Sequence, residues 1–209
     1  PKEIAQEKLQ LPKDGILLLF VGRLGKEKNI EYLIKVISYL KRISKSLIYL
    51  IIVGDNPDKR VLEGLKDKAK KEKVEDRVIF TGYLDYEKVI TVYYASDIFV
   101  FSSLTETQGL VVLEALSAGL PVIALEDEAI SDFVKNEING FLIPWKDGLE
   151  KSIKIFSDRI ITLLENRSLY NTLSQNALET SRNFHIKKIN QKLISLYNDL
   201  LKGYNIINA

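Results

Sequence analysis

The chain has 209 residues, 46% of them hydrophobic, enough for one α/β domain with a sizeable core or for two small ones, and too apolar for a disordered chain. Its 30 Lys and Arg nearly balance its 28 Asp and Glu, which excludes the strong basic bias of a dedicated nucleic-acid binder and makes any anion site a local one. Cys is absent and His185 is the single His, so disulfides, thiolate metal sites, a His-based zinc site and a Ser-His-Asp triad within the chain are excluded as well.

In chain order, the opening PKEIAQEKLQ is polar and is not a secretory signal. The chain starts at Pro1 and contains no Met, so it reads as a fragment, with residues 1–14 as a lead-in from a missing N-terminal domain. ILLLFV (16–21) reads as a strand, and the helix after it carries Ile30, Leu33, Ile34, Ile37 and Leu40 at helical spacing. LIYLIIV (47–53) precedes a charged helix over about 59–73. RVIFTG (77–82) precedes DYEKVITVYYA, and DIFVFSS (97–103) precedes GLVVLEALSAG. PVIAL (121–125) leads to a short helix near 129–135 and then to GFLIP. After Pro144 the pattern is helical only, over about 149–165, 168–182 and 186–202. Short apolar strands alternating with helices predict an α/β fold, a Rossmann-like parallel sheet with helices on both faces. Residues 15–183 would form that domain and 184–209 a terminal helix. No apolar run reaches membrane-span length, which suits a cytoplasmic protein.

Ligands of such sheets sit beyond the carboxyl ends of the strands, which selects the loops after Val21, Val53, Phe80 and Phe101. The first reads VGRLGKEKN. Gly22 ends the strand, Gly25 keeps the turn open, and Arg23 and Lys28 flank the helix entry, as suits a phosphate; two solvated surface charges would read the same way. The last belongs to SSLTETQGLVVLEALSAGLPV. Its helix, 109–117, is apolar nearly all round and is expected to be buried, with Glu114 in its middle needing donors. Glu106 lies just before it, and the amides of Thr107, Gln108, Gly109 and Leu110 open the helix as an anion site. Carboxylates accept hydrogen bonds from vicinal diols, so phosphate between two sets of sugar hydroxyls describes a nucleotide-diphosphate sugar. The plainer reading has Glu106 capping the helix and Glu114 paired with a buried Lys or Arg; the ligand reading is preferred. The acidic run Glu126, Asp127 and Glu128 is expected to be solvated rather than metal-binding, His185 to be structural or exposed at a helix start, and Tyr93 and Tyr94 to pack on the sheet. KDKAKKEK reads as a solvated face that could meet anionic lipid.

The motifs together resemble the C-terminal, donor-binding domain of family 4 (group 1) retaining glycosyltransferases of the two-domain GT-B fold. The resemblance rests on VGRLGKEKN, IIVGDNPDK, RVIFTGYL, ASDIFVFSSLTETQGLVVLEALSAGLPVIA with its E-x7-E spacing, and NGFLIP. It implies that Arg23 and Lys28 bind and stabilise the leaving diphosphate, with the amides after Glu106 completing the site and Gly22 and Gly54 lining it. Glu106 would hold donor-sugar hydroxyls beside the reacting carbon, Glu114 would grip the ribose, and Gly82, Tyr83 and Leu84 would border the base. Neither a metal nor a separate cofactor is implied; the donor would be UDP- or GDP-linked, with UDP-glucose and GDP-mannose foremost. Departures from the family are Asn56, where Gly is common, and Thr107 and Gln108 in place of the commoner E-x-F-G-L form; ETQGL is similar to enzymes that glucosylate membrane lipids. The acceptor, a glycolipid, lipopolysaccharide core or polysaccharide, would be held with the missing N-terminal domain, in the cytoplasm or peripherally on the inner face of its membrane. The isolated domain would bind donor without transferring sugar. A GT-B nucleotide-sugar epimerase and a non-catalytic nucleotide-sugar-binding module are the alternatives.

Overall fold

The structure, a computed structural model, describes residues 2–146 and 148–207. Strands β1 (Ile16–Val21), β2 (Ile48–Val53), β3 (Val78–Gly82), β4 (Ile98–Phe101), β5 (Val122–Leu125) and β6 (Gly140–Ile143) form one parallel sheet in the order β3-β2-β1-β4-β5-β6. The helices are α1 (Lys2–Lys8), α2 (Ile30–Ile43), α3 (Lys59–Lys71), α4 (Tyr86–Ala95), α5 (Leu110–Ser117), α6 (Glu128–Ser131), α7 (Leu149–Glu165), α8 (Arg167–Arg182) and α9 (Ile186–Ile207). The central strands are buried on both faces, which is why β1 and β2 read as continuous apolar runs rather than alternating ones. The doubly wound Rossmann-like sheet is the one the alternating pattern predicts.

Helix pairing closes the two faces: α2 packs on α7, α1 on α4 and α5 on α8. Tyr32 of α2 bonds Ser152 of α7 at 2.8 Å and meets the Phe156 ring edge-on. The lead-in belongs to the same unit. Ala5 and Leu11 are buried, and Lys2 Nζ donates to Asp97 at 2.6 Å, while Asp97 also accepts from the Leu17 amide at 2.9 Å. Those bonds fasten α1 to the amino ends of β1 and β4.

Two local expectations change. The helix near 129–135 is confined to Glu128–Ser131. Asp127 caps its start by accepting from the Ala129 amide, and the buried Asn139 side chain takes the Lys135 amide and the Phe133 carbonyl, which removes both from any longer helix. Helix α5 is buried along one side only. Val112, Ala115 and Leu116 face the core, whereas Leu110 is 55% exposed and Glu114 lies on the open side. The reason is position: α5 begins at the mouth of the crevice between β1 and β4, where none of the described residues covers its outer face.

The strand order reverses between β1 and β4, and β1 pairs with β2 on one side and β4 on the other. Connections leave in opposite directions there, which opens a crevice at the carboxyl ends. Gly54 supports its floor. At φ +135 its backbone is one that L side chains rarely adopt, and an added Cβ would collide with the Gly22 carbonyl oxygen. Gly54→Ala should therefore lower stability by at least the ~1–3 kcal/mol that such a backbone costs. The check is the urea midpoint of the variant; a value equal to wild type would show that this approach does not constrain the fold.

Candidate functional site

The crevice is assembled by two buried serines. Ser102 Oγ shares its proton between the carbonyls of Lys28 (2.8 Å) and Asn29 (3.1 Å), and Ser103 Oγ lies 3.0 Å from the Thr105 carbonyl of its own loop and 3.3 Å from that of Glu27. The Leu104 amide adds a bond to the Glu27 carbonyl at 2.9 Å. The loop after β4 is thus stitched to the loop after β1. Asn56 braces the same loop from the other side, donating from Nδ2 to the Leu24 carbonyl at 2.5 Å and accepting the Asp58 amide at 2.9 Å. The side chain that departs from the family's common Gly is therefore a structural tie.

Stitching brings Lys28 Nζ to 2.8 Å from Glu106 Oε2, with the two side chains only 17% and 12% exposed. The other carboxylate oxygen, Oε1, accepts the amides of Thr107 (2.9 Å) and Gln108 (3.4 Å). Burial pushes the Glu106 carboxyl up, but Lys28 and these two amides outweigh it and hold the group below its ordinary value. Gly109, the N-cap of α5, turns left-handed at φ 62. Among the described residues, nothing accepts from the amides of Gly109, Leu110 and Val111. A cavity of about 270 Å³ brings Gly22, Arg23 and Lys28 together with Glu106 and residues 107–110. Arg23 is exposed there and pairs with Glu27 at 2.7 Å.

A second cavity, about 440 Å³, lies between α4 and α5 and holds Glu114 with Tyr83 and Leu84. Gly82 ends β3 beside it, and its carbonyl accepts the Gly54 amide at 3.0 Å. Glu114 is not a buried carboxylate with a cationic partner. It is exposed, and its donor is Tyr93 Oη at 2.9 Å. Tyr93 does pack on the sheet, against Phe99, but Tyr94 does not: it is 58% exposed at the cavity. Sequence reading missed that Tyr86, Ile90 and Tyr94 share this wall. Their four-residue spacing on α4 was the available signal; the Tyr93–Glu114 bond, between two elements, left none.

Two further groups lie outside the crevice. Asp127 of the acidic run caps α6, and no group of three His, Cys, Asp or Glu among the described residues is placed to hold a metal. His185 is exposed and accepts the Lys187 amide at 3.3 Å, at the start of α9.

The family described as Glycosyl transferases group 1 matches residues 1–180. The chain belongs to the group 1 glycosyltransferases. Alpha-monoglucosyldiacylglycerol synthase of Acholeplasma laidlawii is 33% identical over 202 residues, which cover 96% of this chain and 48% of that protein. D-inositol 3-phosphate glycosyltransferase of Corynebacterium glutamicum is 29% identical over 206 residues, 98% of this chain and 48% of that one. Among solved structures, sucrose-phosphate synthase from Thermosynechococcus elongatus superposes with a TM-score of 0.79 at 29% identity, over 96% of this chain and 49% of that one. The fold is the Rossmann-like fold of GT-B glycosyltransferases, and the chain spans about half the length of these relatives.

The group 1 site carries a pH signature. Folding lowers the Glu106 value, so the ion pair's contribution is full above the unfolded value of about 4.3 and is lost as pH falls through the lower folded one. The difference in unfolding free energy between wild type and Glu106→Gln should stay flat at neutral pH and shrink below about pH 4. Urea titrations across that range measure it; a gap unchanged down to about pH 3 would mean that Glu106 gains nothing from Lys28.

Proposed function

We propose that this domain binds the nucleotide-diphosphate-sugar donor of a retaining hexosyltransferase. The observation that carries the reading is the convergence of Lys28, Glu106 and the free amides of α5 in one cavity at the sheet's switch point. A leaving diphosphate there would meet Lys28, Arg23 and the helix amides, all fixed before the charge develops. Glu106, released by Lys28, would accept donor-sugar hydroxyls, and Glu114 in the neighbouring cavity would accept those of the ribose. Tyr83 and Leu84 border that cavity and would meet a uracil or guanine. No metal is needed in this scheme, because cations and backbone dipoles supply the positive charge.

The acceptor proposed is a membrane lipid, which transfer would turn into a glycolipid. Two relatives above 30% identity, from Acholeplasma laidlawii and Streptococcus pneumoniae, are named alpha-monoglucosyldiacylglycerol synthase. Such an acceptor would place the protein on the cytoplasmic face of a membrane as a peripheral visitor; no helix among the described residues is long and apolar enough to cross one. The acceptor is assigned to a second domain. Helix α9 supports this: Ile186, Leu193, Leu196, Tyr197 and Leu200 are all exposed along it, an apolar stripe fit for covering by another domain.

Arg23→Ala and Lys28→Ala should each weaken UDP or GDP binding about tenfold, from loss of a charge-assisted hydrogen bond. Glu114→Gln should weaken it as well, while Glu106→Gln should keep nucleotide affinity and abolish transfer by the full-length enzyme. Titration calorimetry against UDP and GDP reads the first three; affinity unchanged in both cation variants would remove the diphosphate from this loop. The 209-residue chain itself should bind donor and transfer no sugar to acceptor or water beyond background. Turnover of radiolabelled donor by this chain alone would place the acceptor site within it.

A further inference from the structure

The carboxylate that the proposed reading assigns to the ribose is fixed by a residue from a different helix. Tyr93 of α4 is buried, with its ring 6.0 Å from that of Phe99, yet its hydroxyl reaches the rim of the Glu114 cavity. Tyr93 Oη lies 2.9 Å from Glu114 Oε2 and 3.2 Å from the Val111 carbonyl oxygen. A phenol has one proton, and the shorter contact to the charged acceptor takes it. Burial, and then the Glu114 charge, push the Tyr93 hydroxyl above the usual phenol range, in keeping with its part as the donor. Among the described residues Glu114 has no other side-chain partner, so Oε1 is unengaged.

An exposed Glu on a helix samples several rotamers, and holding one for a ligand costs conformational entropy. A buried, rigid phenol removes that freedom in advance, as a preorganised contact does. We infer that Tyr93 is a positioning residue for donor recognition: it presets the Glu114 carboxylate so that its second oxygen accepts from a vicinal diol. The inference rests on the reading in which Glu114 takes the ribose hydroxyls, and it adds the element that makes Glu114 selective.

The test uses Tyr93→Phe, which keeps the ring and its packing, beside Glu114→Gln and the double variant. Calorimetry compares UDP or GDP, whichever wild type binds tighter, with its 2′,3′-dideoxy form. Tyr93→Phe should weaken the ribonucleotide about fivefold to tenfold and leave the dideoxy form unchanged, and the double variant should lose little beyond Glu114→Gln alone. Equal weakening of both nucleotides by Tyr93→Phe would show a merely structural role and overturn the inference. Unchanged ribonucleotide affinity in Tyr93→Phe, with Glu114→Gln still discriminating the two, would overturn it while the ribose reading stands. If Glu114→Gln binds both nucleotides as wild type does, the ribose reading falls, and this inference with it.

Discussion

The Lys28–Glu106 ion pair is the contact on which the site depends. It joins the loop after β1 to the loop after β4, and it does so with both charges largely out of water. Such pairs contribute little net stability, because desolvation offsets most of the Coulomb gain. Stability is supplied by neutral bonds around it: Ser102 Oγ and the Leu104 amide to carbonyls of the loop after β1, and Asn56 to the Leu24 carbonyl. The arrangement therefore keeps the geometry fixed while leaving the charges free to exchange partners. Under the proposed function a diphosphate would take Lys28 and a sugar hydroxyl would take Glu106 without the loops coming apart.

The sheet explains why this pair forms where it does. Strand order β3-β2-β1-β4-β5-β6 puts β1 and β4 side by side although they are distant in sequence. Each ends at the crevice, so residues 78 positions apart meet as Lys28 and Glu106. Gly54 lets the neighbouring strand end approach the Gly22 carbonyl closely, and Gly109 turns the chain into α5 with its first amides toward the crevice. Position at the switch point thus substitutes for net charge: a chain only +2 overall concentrates cations and dipoles at one place.

How much of this the sequence carried depended on how local the information was. Strand and helix identity follows from short-range patterns, and short apolar runs alternating with helical patterns read as buried parallel strands. The residues that line the cavity beside Lys28 could be picked out because they lie in loops between a strand's carboxyl end and the next helix, where such sheets hold their ligands. Burial of α5 was misread because an apolar composition does not say which side a neighbour covers; Leu110 and Glu114 face an opening that only tertiary placement creates. Tyr93 was legible as core and illegible as a partner for Glu114, since the bond joins residues 21 apart on two helices whose mutual orientation no periodicity encodes. The helix expected near 129–135 was placed rightly but drawn too long for the same reason: Asn139, from a later turn, takes the Lys135 amide and the Phe133 carbonyl.

The unliganded arrangement also bears on selectivity under the proposed reading. Glu106 occupies Lys28 with one oxygen and the amides of Thr107 and Gln108 with the other, so its carboxylate fills part of the anion site itself. A free phosphate entering there must displace that carboxylate and leave it half-buried without donors, which costs free energy. A nucleotide sugar brings phosphate for Lys28 and hydroxyl donors for Glu106 together, so both displaced charges regain partners. Discrimination between the two then comes less from what the site attracts than from what a poorer ligand leaves unsatisfied. Glu114 obeys a different logic. It is exposed and already held by Tyr93, so nothing has to be displaced for a diol to approach it. On that reading one carboxylate would act as an exclusion device and the other as a preset receptor, and the difference lies in which neighbour each already holds.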